Sequence, residues 1–190
     1  MSQIKLDIAF IAIIKNTADI YDTSSIKYAI ETILLLIFFL STINIIIPWL
    51  VRFLVPKRLF DENIWIFKER GFESSFYRKI KVSKWKSKLP DAEKLIHFQR
   101  SSLPRNIDEA YINRFISECC IAELGHLAVG ISGFSSLIFP VFFPKSLQLM
   151  VGIIFFVIST IDLFAQLLFI IIQRYNRPRL IRLKKLYRNG

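Results

Sequence analysis

The sequence predicts an all-α, polytopic membrane protein with about three transmembrane helices, a basic cytoplasmic loop region and a basic amphipathic C-terminal helix. Three observations carry this. Hydrophobic residues make up 53% of the 190 and include 18 Phe. They are gathered into long runs from which charge is excluded, the mark of segments that cross a bilayer. The formal net charge of +11 lies in blocks beside those runs, where positive charge sets topology and meets lipid headgroups. Cys119 and Cys120 are adjacent. Neighbours on a helix point apart, so no disulfide is expected and nothing marks the chain as secreted. Residues 1–190 are expected to form a single membrane domain.

Residues 1–25 hold the apolar patch Ile8 to Ile14, too short to span. A barely basic start and no small-residue cleavage site favour an interfacial helix over a signal segment. The first span is 28–51, which as a helix rises about 36 Å. Glu31 lies at its outer end. Pro48 is expected to kink or unwind its last turn, Trp49 to sit among headgroups and Arg52 to stop it. Residues 52–114 form the polar middle, with 15 Lys or Arg against eight Asp or Glu. From Arg78 to Lys88 the charges fall mostly at alternate positions around Ile80, Val82 and Trp85, which favours an extended or irregular piece. Pro90-Asp91 and Pro104 break the chain before a helix capped at Asn106.

The second span, 124–143, ends among Pro140 and Pro144, and the third, 146–172, is interrupted only by Asp162 and Gln166. Residues 173–190 form the tail. Asn176 is expected to close the span and Pro178 to open a short basic helix lying on the membrane surface. The tail carries seven basic residues and the middle 15, whereas the N-terminus has Lys5, Lys15 and Lys27 and the turn has Lys145. Basic segments stay inside, so the N-terminus is expected outside the cell membrane, with the middle and the C-terminus cytoplasmic.

His126, Glu118 and Glu123 stand at the mouth of the second span, where ionisable groups are costly and point to function. Cys119, Glu123 and His126 follow at spacings of four and three and share a helix face; Glu118 lies about 140° round from Glu123. A carboxylate near an imidazole fixes its tautomer and raises its basicity, and the imidazole then takes a proton from a hydroxyl. The competing reading is structural: Glu123 and His126 satisfy a partner helix or pair with Lys or Arg. Gln173 to Arg179 likewise reads either as a span end or as an arginine clamp for phosphate or carboxylate. The basic run 78–88 is a lipid-facing surface or a site for phosphorylated substrate. Asp162 reads as a structural contact to Asn44 or His126.

Other chemistries are excluded by pattern. Neither His97 nor His126 has Asp at the fifth following place, and Gly130-Ile131-Ser132-Gly133 is no nucleophile elbow. Walker, Rossmann, zinc-ligand and nucleic-acid-binding patterns do not occur, so no metal, bound cofactor or nucleic acid is expected.

Several segments together resemble one family, the bacterial glycosyl-4,4′-diaponeurosporenoate acyltransferases of staphyloxanthin-type carotenoid synthesis. They are Lys84-Trp85-Lys86 with Lys88 and Pro90-Asp91, then Glu118 with Ala122-Glu123-Leu124 and His126, and finally Gln173-Arg174-Tyr175-Asn176-Arg177-Pro178-Arg179. The last string is the most specific. Pro56 and Phe67-Lys68 also fit, and the likeness runs over roughly residues 50–185; Leu127 stands where the family pattern has an aromatic.

The resemblance implies transfer of a long-chain fatty acyl group to the sugar primary hydroxyl of a glycosylated carotenoid acid. His126, supported by Glu123 or Glu118, is then the expected base. Lys84, Lys86, Arg174 and Arg177 are expected to hold the phosphates of acyl-CoA or a similar acyl thioester co-substrate. Arg174 or Asn176 would meet the oxyanion, and Trp85, Tyr175 and Arg179 complete the substrate-binding set. Expected partners are membrane lipids, a glycosylated carotenoid or glycolipid acceptor and the acyl donor. The alternatives are an acyltransferase for another glycolipid, and a non-catalytic membrane scaffold for lipid-modifying enzymes.

Overall fold

The computed structural model describes residues 23–89 and 108–189. The expectations for residues 1–22, Pro90-Asp91, His97 and Pro104 lie outside them. All regular structure among the described residues is helical. Three helical stretches, Ile30–Leu54, Glu109–Phe142 and Lys145–Arg188, are long and apolar enough to cross a membrane. Their lipid-facing character shows in side chains such as Ile37, Phe38, Leu149 and Phe164, exposed on the bundle surface, where a bilayer rather than water would meet them.

Helix α1, Thr23–Leu54, continues through Pro48 and two residues past Arg52, so Pro48 does not unwind its last turn and Arg52 does not stop it. Pro48 lies in the contact with the next spanning helix: a Cβ placed on Gly125 would sit 3.8 Å from Pro48 Cα. Arg52, its side chain 33% exposed, donates two hydrogen bonds to Glu118 and so pairs its charge in a partly buried setting. Leu36 and Leu40 of α1 close a core with Val151 and Phe155.

After a 3-10 turn at Lys57–Leu59, two short helices follow: α2, Glu73–Lys79, and α3, Val82–Trp85, with a 3-10 turn at Lys86–Lys88. The basic run is therefore helical, not extended. Lys81, left-handed at φ 54°, breaks the two helices apart. Two short helices out of phase scatter the charges at even spacing, while Tyr77 and Val82 are buried together against Tyr175.

Helix α4, Glu109–Ser132, is capped by Asp108, which accepts from the Tyr111 N–H at 2.7 Å; the expected cap at Asn106 is thus two residues early. A 3-10 stretch, Gly133–Phe142, finishes the second crossing. Helix α5, Lys145–Asn189, then runs 45 residues without interruption, about 68 Å, well over the roughly 30 Å of a hydrocarbon layer. This corrects the expected break at Asn176 and Pro178. The tail does not lie separately on the surface: Leu180 packs with Ile112, Phe115, Ile116 and Cys119 of α4. Apolar burial on α4, worth roughly 2 kcal/mol per large side chain, keeps the helix continuous through the proline. Lys184 and Arg188 pair with Glu62 and Glu109.

Candidate functional site

Where α4 and α5 leave the apolar layer, four charged side chains from three segments meet. Arg174 donates to Glu73 and to Glu123, each at 2.5 Å. Arg177 donates to the other Glu123 oxygen and to the Phe67 carbonyl. Arg174 also donates to the Ile66 carbonyl at 2.9 Å, and the Tyr77 hydroxyl to Glu73 at 2.8 Å. Two carboxylates and two guanidiniums cancel. The Arg177 side chain is only 2% exposed, so its charge must be matched within the protein. Burial pushes the Glu73 carboxyl up, but hydrogen bonds from Arg174 and Tyr77 outweigh it and hold the group below its ordinary value. Burial, then the bond to Glu73, holds the Tyr77 phenol protonated well above its usual range.

One turn deeper on α4, His126 begins a second network. Its Nδ1 lies 2.7 Å from Gln166 Oε1, and its ring stacks on Phe169 at 4.8 Å. Gln166 Nε2 donates to Asn44 Oδ1 at 2.9 Å and to Asp162 Oδ1 at 3.2 Å, and Asn44 Nδ2 donates to the Leu40 carbonyl at 2.9 Å. These bonds fix every amide in turn. The reverse setting of Gln166 would aim its oxygen at two other acceptors. With Oε1 facing the imidazole, Nδ1 carries the proton and Nε2 is left as the basic nitrogen of the neutral ring. Asp162, expected to meet Asn44 or His126, reaches both through Gln166; its Oδ2 is buried without a partner among the described residues.

The expected site residues therefore fall into three groups. Glu118 is bound by Arg52, and Glu123 by Arg174 and Arg177; the group on the imidazole Nδ1 is an amide instead of either carboxylate. Arg174 and Arg177, expected to clamp a ligand anion, clamp the protein's own carboxylates. The rest gather round Tyr175. Lys86 reaches Asn176 Oδ1 at 3.1 Å and lies 5.2 Å from the Tyr175 ring centroid, and Arg179 covers that ring at 3.7 Å. Trp85 donates to the Ile80 carbonyl, and Lys84 joins Tyr175 and Arg179 around a pocket. Sequence reading missed Glu73, whose partner lies about a hundred residues away. It passed over Gln166, although an amide amid the Phe and Leu of the third span was a visible signal.

The family model of the glycosyl-4,4′-diaponeurosporenoate acyltransferases matches residues 63–186. A protein named glycosyl-4,4′-diaponeurosporenoate acyltransferase from Staphylococcus aureus strain MRSA252 is 34% identical over 140 residues, covering 70% of this chain and 76% of that protein. Its counterpart from strain N315, of the same name, is 33% identical over the same shares. No solved structure matches.

Proposed function

The chain belongs to the glycosyl-4,4′-diaponeurosporenoate acyltransferase family and is an acyltransferase; from that premise we propose that it esterifies the sugar primary hydroxyl of a glycosylated carotenoid acid with a long-chain fatty acyl group. The donor is acyl-CoA or a similar acyl thioester, and the work is done at the cell membrane. The observation that carries the reading is the His126–Gln166 hydrogen bond inside the helix bundle. An imidazole anchored there, with Nε2 as its basic nitrogen, suits a reaction whose two substrates both have long apolar parts.

In this mechanism Nε2 of His126 takes the proton of the sugar hydroxyl as its oxygen attacks the thioester carbonyl. The oxyanion collapses, the carbon–sulfur bond breaks, and the imidazolium returns the proton to the departing thiolate. Ester and free thiol are the products, so atoms and charge balance without a metal. Gln166 keeps the proton on Nδ1. Glu118 and Glu123 act through Arg52, Arg174 and Arg177, holding α4 in register. The acyl chain and the polyene lie in lipid and the sugar at headgroup level, with the middle segment and α5 tail on the cytoplasmic side.

The test is a host that makes the glycosylated carotenoid, with the lipid extract read by mass spectrometry. Wild-type chain is expected to add the acylated species, and His126→Ala to lower its rate by about 100-fold or more. Full esterification by a properly inserted His126→Ala protein would remove the imidazole from the chemistry. Acylation of other glycolipids, with the carotenoid untouched, would move the acceptor.

A further inference from the structure

Four cations converge on a pocket for which neither the ion cluster nor the imidazole has a use. The pocket, about 380 Å³, opens where α2 and α3 meet α5, walled by Arg78, Lys81, Lys84 and Arg179. Ser74 and Ser83 add hydroxyls to the rim, and all six side chains are exposed. Arg174 and Arg177 close by are neutralised. Among the described residues no carboxylate pairs with any of the four pocket cations. Unbalanced positive charge in a concavity draws a multiply charged anion.

The backbone gives a second, independent sign. Lys81 is the one non-glycine residue with positive φ among those described, at φ 54° and ψ 45°. That conformation suits Gly or Asn and is costly for Lys, yet a lysine stands there and lines the pocket. The wall opposite is already set: Arg179 is stacked on the Tyr175 ring, and Tyr77 is held edge-on to that ring.

We propose that this pocket is a phosphate-binding subsite that holds the phosphorylated end of the acyl thioester donor; the proposal rests on the thioester reading above. Phe169, stacked on His126, and Tyr175 of the pocket are six residues apart on α5. That is about 9 Å along the axis and a third of a turn around it. A pantetheine arm, comparable to four or five extended residues or roughly 15 Å, bridges that gap. Phosphate in the pocket thus brings the thioester carbonyl to the imidazole.

The experiment uses the full chain in phosphatidylcholine nanodiscs and adenosine 3′,5′-bisphosphate, a phosphate-bearing ligand without an acyl chain. Wild type is expected to bind it. Lys81→Asn, which suits the left-handed backbone, and Arg78→Gln are each expected to weaken binding about tenfold. In acyl transfer the same variants raise KM for acyl-CoA by a similar factor and spare kcat, and a phosphate-free acyl thioester given to wild type shows a rise at least as large. Failure of wild type to bind the bisphosphate overturns the proposal whatever its activity. Binding that Lys81→Asn weakens about tenfold, in a protein with no acyl transfer, keeps the site and sinks the assigned reaction. A second arm adds phosphatidylglycerol. If wild type retains that lipid, Lys81→Asn loses it and the bisphosphate is ignored, the phosphate held is a lipid headgroup and the donor assignment falls.

Discussion

Gln166 is a single amide among Phe164, Leu167, Leu168 and Phe169, and its three hydrogen bonds tie all three spanning helices to one point. A leucine there would fill similar space, but the imidazole would lose the acceptor that keeps its proton on Nδ1. Gln166→Leu is expected to lower kcat about tenfold, the worth of one net hydrogen bond, with KM for both substrates unchanged and membrane insertion intact. Steady-state rates on purified protein check this; an unchanged kcat would mean that the ring is oriented by something else. His126 was legible in the sequence because a histidine at a membrane mouth is rare. Its partner was not, since spacing along one helix says nothing of the rotation of the next. The sequence therefore offered Glu123, three residues away, where folding supplied an amide 40 residues on.

At the scale of elements, the segment from Ile66 to Tyr77 is held to α5 by charge as much as by packing. Glu73 and Arg174 are the link, and Glu73 titrates below its ordinary value. A carboxylate with a depressed folded pKa contributes stability that is fully present above the unfolded value, about 4.3. That contribution is lost as pH falls through the folded value. Detergent-solubilised protein should therefore lose thermal stability on acidification below about pH 4, and Glu73→Gln should flatten that part of the profile. Arg177→Ala should be far harsher, about 3 kcal/mol or more, because it leaves Glu123 short of a buried partner. The elements themselves were unevenly legible. That there are three apolar helices follows from hydropathy alone, but the second begins at Glu109 and the third runs on to Arg188, well beyond the apolar runs 124–143 and 146–172. The helical form of 73–88 was hidden because the break at Lys81 counterfeits a period of two, and the unbroken α5 because Pro178 argues locally for a stop that packing on α4 overrides.

For the whole molecule, the structure brings the basic pocket, the ion cluster and the α5 tail to one end of the bundle, and the turn before Lys145 to the other. Trp65, 75% exposed, and Phe72, 64% exposed, flank the basic end and suit the headgroup layer, where aromatic side chains gather. The proposed orientation puts that end, with its excess of Lys and Arg, on the cytoplasmic side, where a coenzyme-bound donor would be met. Orientation is open to a direct chemical measurement, because Cys119 and Cys120 are fully buried and should give little background with a polar thiol reagent. Ser75 on α2 and Ser146 at the start of α5 are exposed at opposite ends. In intact cells Ser146→Cys is expected to react with a membrane-impermeant maleimide, and Ser75→Cys only after the membrane is opened. The reverse pattern would put the phosphate pocket on the outer face, away from cytoplasmic thioesters, and would overturn donor site and topology together. Labelling of both from outside would show that one of the three apolar helices does not cross.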